Sequence, residues 1–187
     1  MKIGCECGNV IVDQTDFLPY KGYIISDQDW FDFLDAIDFA VQKSGHSEKE
    51  KESALMKVRS LAVTLSKEIY QCTACGRVYI HKNSGGLEMF VRNMPFDGSK
   101  ILISALGDNW RRPVFGSWDD KRQGSSKGYI SCFGLDKNDI LFDNWDKLQV
   151  KYYSLVKELK EKNILRSALL RRNDEVVHCW DPLRGDE

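Results

Sequence analysis

Four cysteines stand in two tight pairs, Cys5-Glu6-Cys7-Gly8 and Cys72-Thr73-Ala74-Cys75-Gly76. Thiolates are soft donors, and two short loops that each offer two of them match the tetrahedral demand of a zinc ion bound at about 2.3 Å. The glycine after each pair suits a loop whose amides must turn back toward the sulfurs, because glycine enters the required dihedrals at no steric cost. Four thiolates leave no open coordination position, so Cys5, Cys7, Cys72 and Cys75 are expected to hold a structural Zn²⁺. His81, six residues after Cys75, is the alternative fourth ligand, although cysteine matches better at all four places. A redox Cys-x-x-Cys would ask for a thioredoxin-like context, which does not precede Cys72. Cys132 and Cys179 remain. A second metal site with His178 is disfavoured, since adjacent His178 and Cys179 would point to opposite faces of a strand, and both cysteines read as buried free thiols.

Sixty-four residues separate the two pairs, so the elements between them decide whether they can meet. Loop closure costs grow slowly with length, and a long insertion is tolerable. A short strand follows the first pair at 9–12, then a turn-rich stretch, 13–26, with Pro19 and Gly22. Ser26 or Asp27 caps a helix over about 28–43. Its core-facing arc would be Trp30, Phe33, Leu34, Ile37, Ala40 and Val41, and the opposite arc carries Asp29, Asp32, Asp35 and Asp38 with Phe31 and Phe39 between them. Ser47-Glu48-Lys49-Glu50 reads as a capping box opening a second helix over about 48–69, striped by Leu55, Val58, Ala62, Leu65 and Ile69. After the second pair, Arg77–Ile80 continues as a strand, Asn83-Ser84-Gly85-Gly86 turns, and Leu87–Val91 returns.

Residues 94–128 are loop-rich, with a candidate strand at Lys100–Ile103, and 129–133 make a better one. A third helix over about 144–162 starts at Asn144, and 165–170 with 176–180 form a closing hairpin. The expected fold is α+β: a zinc ribbon interrupted by a helical insertion, joined to an antiparallel sheet and a C-terminal helix. The expected parts are 1–93, the split ribbon, and 94–187, an α+β portion packed with the first as one unit.

The chain has 187 residues, 42% hydrophobic and 29% charged, with a net charge of −1. These values describe an ordinary globular protein and argue against a general nucleic-acid binder, which carries a basic excess. Charge is unevenly spread: residues 13–38 hold seven Asp against one Lys, and residues 147–172 eight Lys or Arg against two Glu. No apolar run reaches the length of a membrane span and no signal-peptide core opens the chain, so a reducing cytoplasmic location is expected. The three histidines, 46, 81 and 178, fall in no metalloprotease pattern, and no nucleophile elbow or phosphate loop occurs. The 107–112 stretch reads as a surface turn with a packed Trp, and Asp119-Asp120 as part of a solvated loop. No enzyme is expected, and an activity on the 107–122 loop is the remote option.

Residues 1–9, 27–32 and 72–79 resemble small bacterial proteins with a split zinc ribbon, associated with immunity proteins of toxin–immunity systems, including contact-dependent growth inhibition. The resemblance covers mostly residues 1–91. It implies a non-enzymatic cytoplasmic protein that binds and neutralises one cognate toxin domain. Asp29, Phe31, Asp32, Asp35, Asp38 and Phe39 are the candidate partner surface, with aromatic anchors and carboxylates that steer a basic partner such as a nuclease. The plain alternative is a solvated helix face whose Phe residues pack inward. A second function class is a zinc-ribbon nucleic-acid or transcription accessory protein that would use Lys147, Lys151, Lys157, Lys160, Arg166, Arg171 and Arg172.

Overall fold

The computed structural model describes residues 1–43, 45, 47–124, 126–132, 139–182 and 185–186. The fold is α+β, with three helices, antiparallel sheets and one parallel strand pair. The chain divides into two compact units, Met1–Ile103 and Ser104–Glu187, each described by itself.

In the first unit, β1 (Lys2–Gly4) and β2 (Val10–Val12) form a hairpin whose turn is the first cysteine pair. Strands β3 (Lys21–Ile25), β4 (Ser66–Gln71), β5 (Val78–His81) and β6 (Leu87–Phe90) form a four-stranded antiparallel sheet in that order. The second cysteine pair is the turn between β4 and β5. Helices α1 (Asp27–Lys43) and α2 (Glu48–Leu65) are inserted between β3 and β4. The capping box that opens α2 is formed by Ser47 and Glu50.

Three local expectations are corrected here. The stretch ending in Tyr23-Ile24-Ile25 is strand β3. The second helix stops at Leu65 instead of 69, because Ser66–Gln71 leave it to pair with β3 and β5. Residues 100–103 form no strand. They cover the sheet instead: the Gln71 amide donates to the Ser99 carbonyl (2.8 Å), the Ile101 amide donates to the Gln71 side-chain oxygen (3.0 Å), and Leu102 lies close against Gly22.

The helix faces also differ from the expected stripes. No residue of α1 or α2 is fully buried. Val41 is 71% exposed and Trp30 43%, while Phe33, Leu34, Ile37 and Ala40 of the same arc are half-buried. Leu55 lies open, and α2 turns Ala54, Val58, Leu61, Ala62 and Leu65 inward instead. The physical reason is that α1 packs mainly along α2, so a single neighbour covers a narrower arc than a core would.

In the second unit, β7 (Arg112–Trp118), β8 (Gly128–Cys132) and β9 (Asp139–Phe142) form a meander. Helix α3 (Trp145–Glu161) then returns the chain, so that β10 (Leu165–Arg172) pairs parallel with β7, and β11 (Glu175–Asp181) and β12 (Gly185–Asp186) extend the sheet. Phe133, placed in a strand by its sequence, lies outside the described residues, as does His46.

Strand β7 lies in a stretch expected to be loop, and it is central. Pro113 and Gly116 are ordinarily breakers. Here β10 shifts register between Leu165 and Ser167, opposite Pro113, which relieves the proline of a ladder donor. A Cβ on Gly116 would stand 2.6 Å from Leu170 and 3.3 Å from Tyr152, so glycine lets α3 and β10 approach β7.

Helix α3 is capped by the Asn144 side chain, which accepts from the Lys147 amide (3.0 Å). It buries Leu148, Tyr152, Leu155, Val156 and Leu159, packed with Val114, Trp118, Ile130, Cys132, Leu165, Ala168 and Leu170 in one core. Asn163, at φ 54°, ends the helix in the left-handed region, and the Ile164 amide donates to the Leu159 carbonyl (2.9 Å). No described helix is long and apolar enough to cross a membrane.

Leu148 is fully buried. Leu148→Ala is expected to cost this unit about 2–5 kcal/mol, read from the denaturant midpoint of tryptophan fluorescence, since four of the five tryptophans lie beyond residue 103.

Candidate metal centre

The two knuckles are built alike. The Cys5 amide donates to the Asn9 carbonyl (2.8 Å) and the Gly8 amide to the Cys5 carbonyl (2.9 Å), while the Cys72 amide donates to the Arg77 carbonyl and the Gly76 amide to the Cys72 carbonyl, both 2.8 Å. Gly8 and Gly76 close these turns at φ 88° and 74°, the left-handed region that a side chain would strain. Space matters too at Gly76, where a Cβ would meet the Phe96 ring at 2.4 Å.

This geometry brings the four thiols together: their sulfurs all lie within 4.8 Å of one another, a group able to hold a metal ion. Cys5 to Cys7 is 3.4 Å, Cys5 to Cys75 3.5 Å and Cys7 to Cys72 3.7 Å. A disulfide would need about 2.0 Å, whereas thiolates placed tetrahedrally at about 2.3 Å from an ion stand about 3.8 Å apart. All six cysteines are free thiols.

Polar groups around the sulfurs fit a negatively charged cluster. The Asn9 amide donates to Cys72 Sγ and an Arg77 guanidinium N–H to Cys75 Sγ, each at 3.5 Å. Burial pushes the Cys5 thiol up, but the nearby Tyr79 hydroxyl, the Cys7 backbone amide and the Cys7 and Cys75 thiols outweigh it and bring Cys5 down to about 6. The Cys72 thiol is likewise lowered: burial opposes this, and the Asn9 amide leads the groups that overcome it. Beneath the site Ile3, Ile11, Tyr70 and Tyr79 form the small core of this unit with Cys5 and Cys72. His81 is not in the group: its Nδ1 lies 3.1 Å from Glu68 Oε2.

Other candidates fall elsewhere. Cys132 is buried in the second unit's core, and burial raises its thiol. Cys179 is half-buried on β11, and Tyr152 bonds His178 Nδ1 at 2.8 Å from the neighbouring position. Asp120, expected in a solvated loop, is tied down: the Trp118 indole donates to it at 2.8 Å, Asn173 at 2.9 Å and Arg172 at 3.1 Å, and these donors hold its carboxyl at about 2. Arg172 also stacks 5.0 Å from the Trp145 ring, and Lys160 5.0 Å from the Trp180 ring, so part of the basic stretch serves this unit's own packing.

The six candidate partner residues all lie on α1. Phe31 is 68% and Phe39 54% exposed, and Asp32, Asp35 and Asp38 are exposed with them. Asp29 is half-buried and accepts from the Ser26 hydroxyl at the helix start. Phe39 also borders a hollow of about 430 Å³ between α1 and α2, kept open by Ala36, Ala40 and Ala54.

A polar network that sequence reasoning missed lies beside the metal centre. Lys21 Nζ bridges Asp13 (2.8 Å) and Glu68 (2.7 Å), and the Tyr70 hydroxyl lies between the same two carboxylates, 2.7 Å from Asp13 and 2.8 Å from Glu68, with its one proton shared between them. The i, i+2 spacing of Glu68 and Tyr70 on one strand face was the available signal, but Asp13 and Lys21 arrive from other elements. Burial would raise the carboxyls of Asp13 and Glu68, yet Lys21 overcomes it and both sit below their ordinary values. Depressed carboxyls contribute stability that is present above their unfolded values, about 4, and lost as pH falls through the folded ones.

Two outcomes follow for the first unit. Elemental analysis finds about one metal ion per chain, and a strong chelator or Cys72→Ser lowers the unit's thermal midpoint by several degrees. With metal retained, Asp13→Asn costs about 1–2 kcal/mol at pH 7, and its difference from wild type shrinks below about pH 4, measured by denaturant unfolding across pH.

No curated protein and no solved structure matches the chain. Residues 1–100 match a family model described as Domain of unknown function (DUF8617). That span holds both cysteine pairs, the helical hairpin and the four-stranded sheet. More than half of the chain lies within it, and the protein therefore belongs to the DUF8617 family.

Proposed function

We propose that the first unit is a zinc-stapled, non-enzymatic binding module whose helical hairpin captures a basic protein partner. The observation that carries this reading is α1, a helix that leaves Phe31 and Phe39 open to solvent among Asp32, Asp35 and Asp38. Exposed aromatics are costly unless a surface covers them, and aromatic anchors ringed by charge are the usual centre of a protein interface. Carboxylates at Asp32, Asp35 and Asp38 would steer a basic partner and reject an acidic one.

Zinc suits this role. Four thiolates with no open position favour a soft, tetrahedral, redox-inert ion that does no chemistry. A reducing cytoplasm keeps such thiols available to it. The resemblance of residues 1–9, 27–32 and 72–79 to immunity proteins supports a toxin domain as the partner, blocked by occlusion without turnover. A nuclease toxin fits best, because its phosphate-binding active site is basic and an acidic array can occupy it.

The test compares wild type with an Asp32→Lys/Asp35→Lys variant in affinity capture from the native cell. Wild type is expected to retain one basic protein in stoichiometric amount. The variant, with an unchanged circular dichroism spectrum, is expected to bind that protein at least about tenfold more weakly. Equal capture by both removes α1 as the partner surface, and capture of nucleic acid alone replaces the reading with that of a zinc-ribbon regulator.

A further inference from the structure

The helical hairpin is an incomplete bundle. Helix α1, of 17 residues, and α2, of 18, pack along each other, yet neither buries a side chain completely. Two helices cannot sheath each other's apolar stripes, and a third layer is the usual completion. The hollow of about 430 Å³ lies along the seam between them. Its floor is Ala36, Ala40, Ala54 and Leu61, all half-buried, and Phe39 stands exposed at its lip. Three alanines, where a core would hold larger side chains, leave space for an incoming side chain to fill.

The rim of this hollow is charged. Asp32 lies one helical turn before Ala36 and Asp35 one turn before Phe39, so both carboxylates share the stripe of α1 that borders the hollow. Both are exposed, and neither forms an ion pair among the described residues. Two charged groups line the hollow itself, Glu50 and Lys57, and they offset each other. Glu50 is also engaged in the capping box, where it accepts from the Ser47 amide and hydroxyl. Lys57 is exposed, and its flexible stem lets the ammonium head stay in water beside an incoming chain. The charge left at the rim is therefore that of Asp32 and Asp35, two carboxylates on one side of an apolar slot.

We propose that the hollow takes the apolar stripe of a basic amphipathic helix, which completes a three-helix bundle with α1 and α2. This rests on the reading of α1 as a partner surface and adds what the partner must carry: leucine-like side chains at i, i+3 or i+4 and i+7, with lysines or arginines beside them. The apolar side chains enter over Ala36, Ala40 and Ala54 and pack against Phe39, while the basic ones meet Asp32 and Asp35. Shape sets one condition and charge the other, so an acidic helix with the same stripe and a basic helix without it are both rejected.

The test uses the full metal-loaded chain and three synthetic peptides of about 15 residues, roughly four helical turns. One carries leucines on one face and lysines on the other, the second has its leucines changed to alanine, and the third has its lysines changed to glutamate. Alanine methyl groups of the protein are followed by carbon–proton correlation, and affinity by calorimetry. The leucine–lysine peptide is expected to shift the methyls of Ala36, Ala40 and Ala54, and to bind at least about tenfold more tightly than either of the others. Ala54→Leu, which fills the hollow, weakens that binding roughly tenfold, and Ala36→Leu takes its place if the first variant loses its helical circular dichroism. Equal affinity for the leucine and alanine peptides, or alanine methyls that do not move, overturns the inference. Binding that falls with Asp32→Lys/Asp35→Lys but not with a folded hollow-filling variant overturns this inference alone and leaves α1 as a charged partner surface. Binding that ignores both changes overturns the two readings together.

Discussion

Holding four sulfurs within 4.8 Å of one another is the constraint on which the first unit depends. The sulfurs come from two turns, one inside the β1–β2 hairpin and one between β4 and β5. Joining them brings together strands from opposite ends of a long insertion. The core available for this is small: six buried residues, two of which are the cysteines Cys5 and Cys72. An apolar cluster of that size cannot offset the ordering of about a hundred residues by itself. A metal ion held by the four cysteines would add the missing cross-link, and the Asp13–Lys21–Glu68–Tyr70 network adds a tie between the first hairpin and the sheet.

That arrangement frees the helical hairpin. Because α1 and α2 bury no residue completely, they contribute little to the core and can present side chains outward. A helix with Phe31 and Phe39 exposed would be a defect in an element responsible for packing. In an insertion hung from a sheet whose turns carry the cysteine cluster it is compatible with folding, which is the physical basis for reading α1 as a surface for a partner.

The second unit is stabilised in another way. Its core is larger and apolar, built where α3 lies across the sheet, and its polar ties, such as Trp118 to Asp120 and Tyr152 to His178, sit at the margin of that core. Its stability depends on the close approach at Gly116 and on the crossover through α3 that places β10 beside β7.

The sequence alone determined what short-range chemistry dictates. Cysteine spacing and the following glycines specified the knuckles, Ser47 and Glu50 the start of α2, Asn144 the start of α3, and Gly85 and Gly86 the turn between β5 and β6. Tertiary structure decided whatever depends on a distant neighbour. Strand β7 was hidden because Pro113 and Gly116 look like breakers until β10 supplies a register shift and a close contact. Leu65 and Ser66 could not be told apart as helix and strand before β3 offered the second one a pairing partner in Ile25. The arc of α1 that stays open depends on how few elements pack against it, which helical periodicity does not encode. The network of Asp13, Lys21, Glu68 and Tyr70 likewise required separate parts of the chain to meet, because a charge network is assembled from residues whose separation along the chain bears no relation to their distance in space.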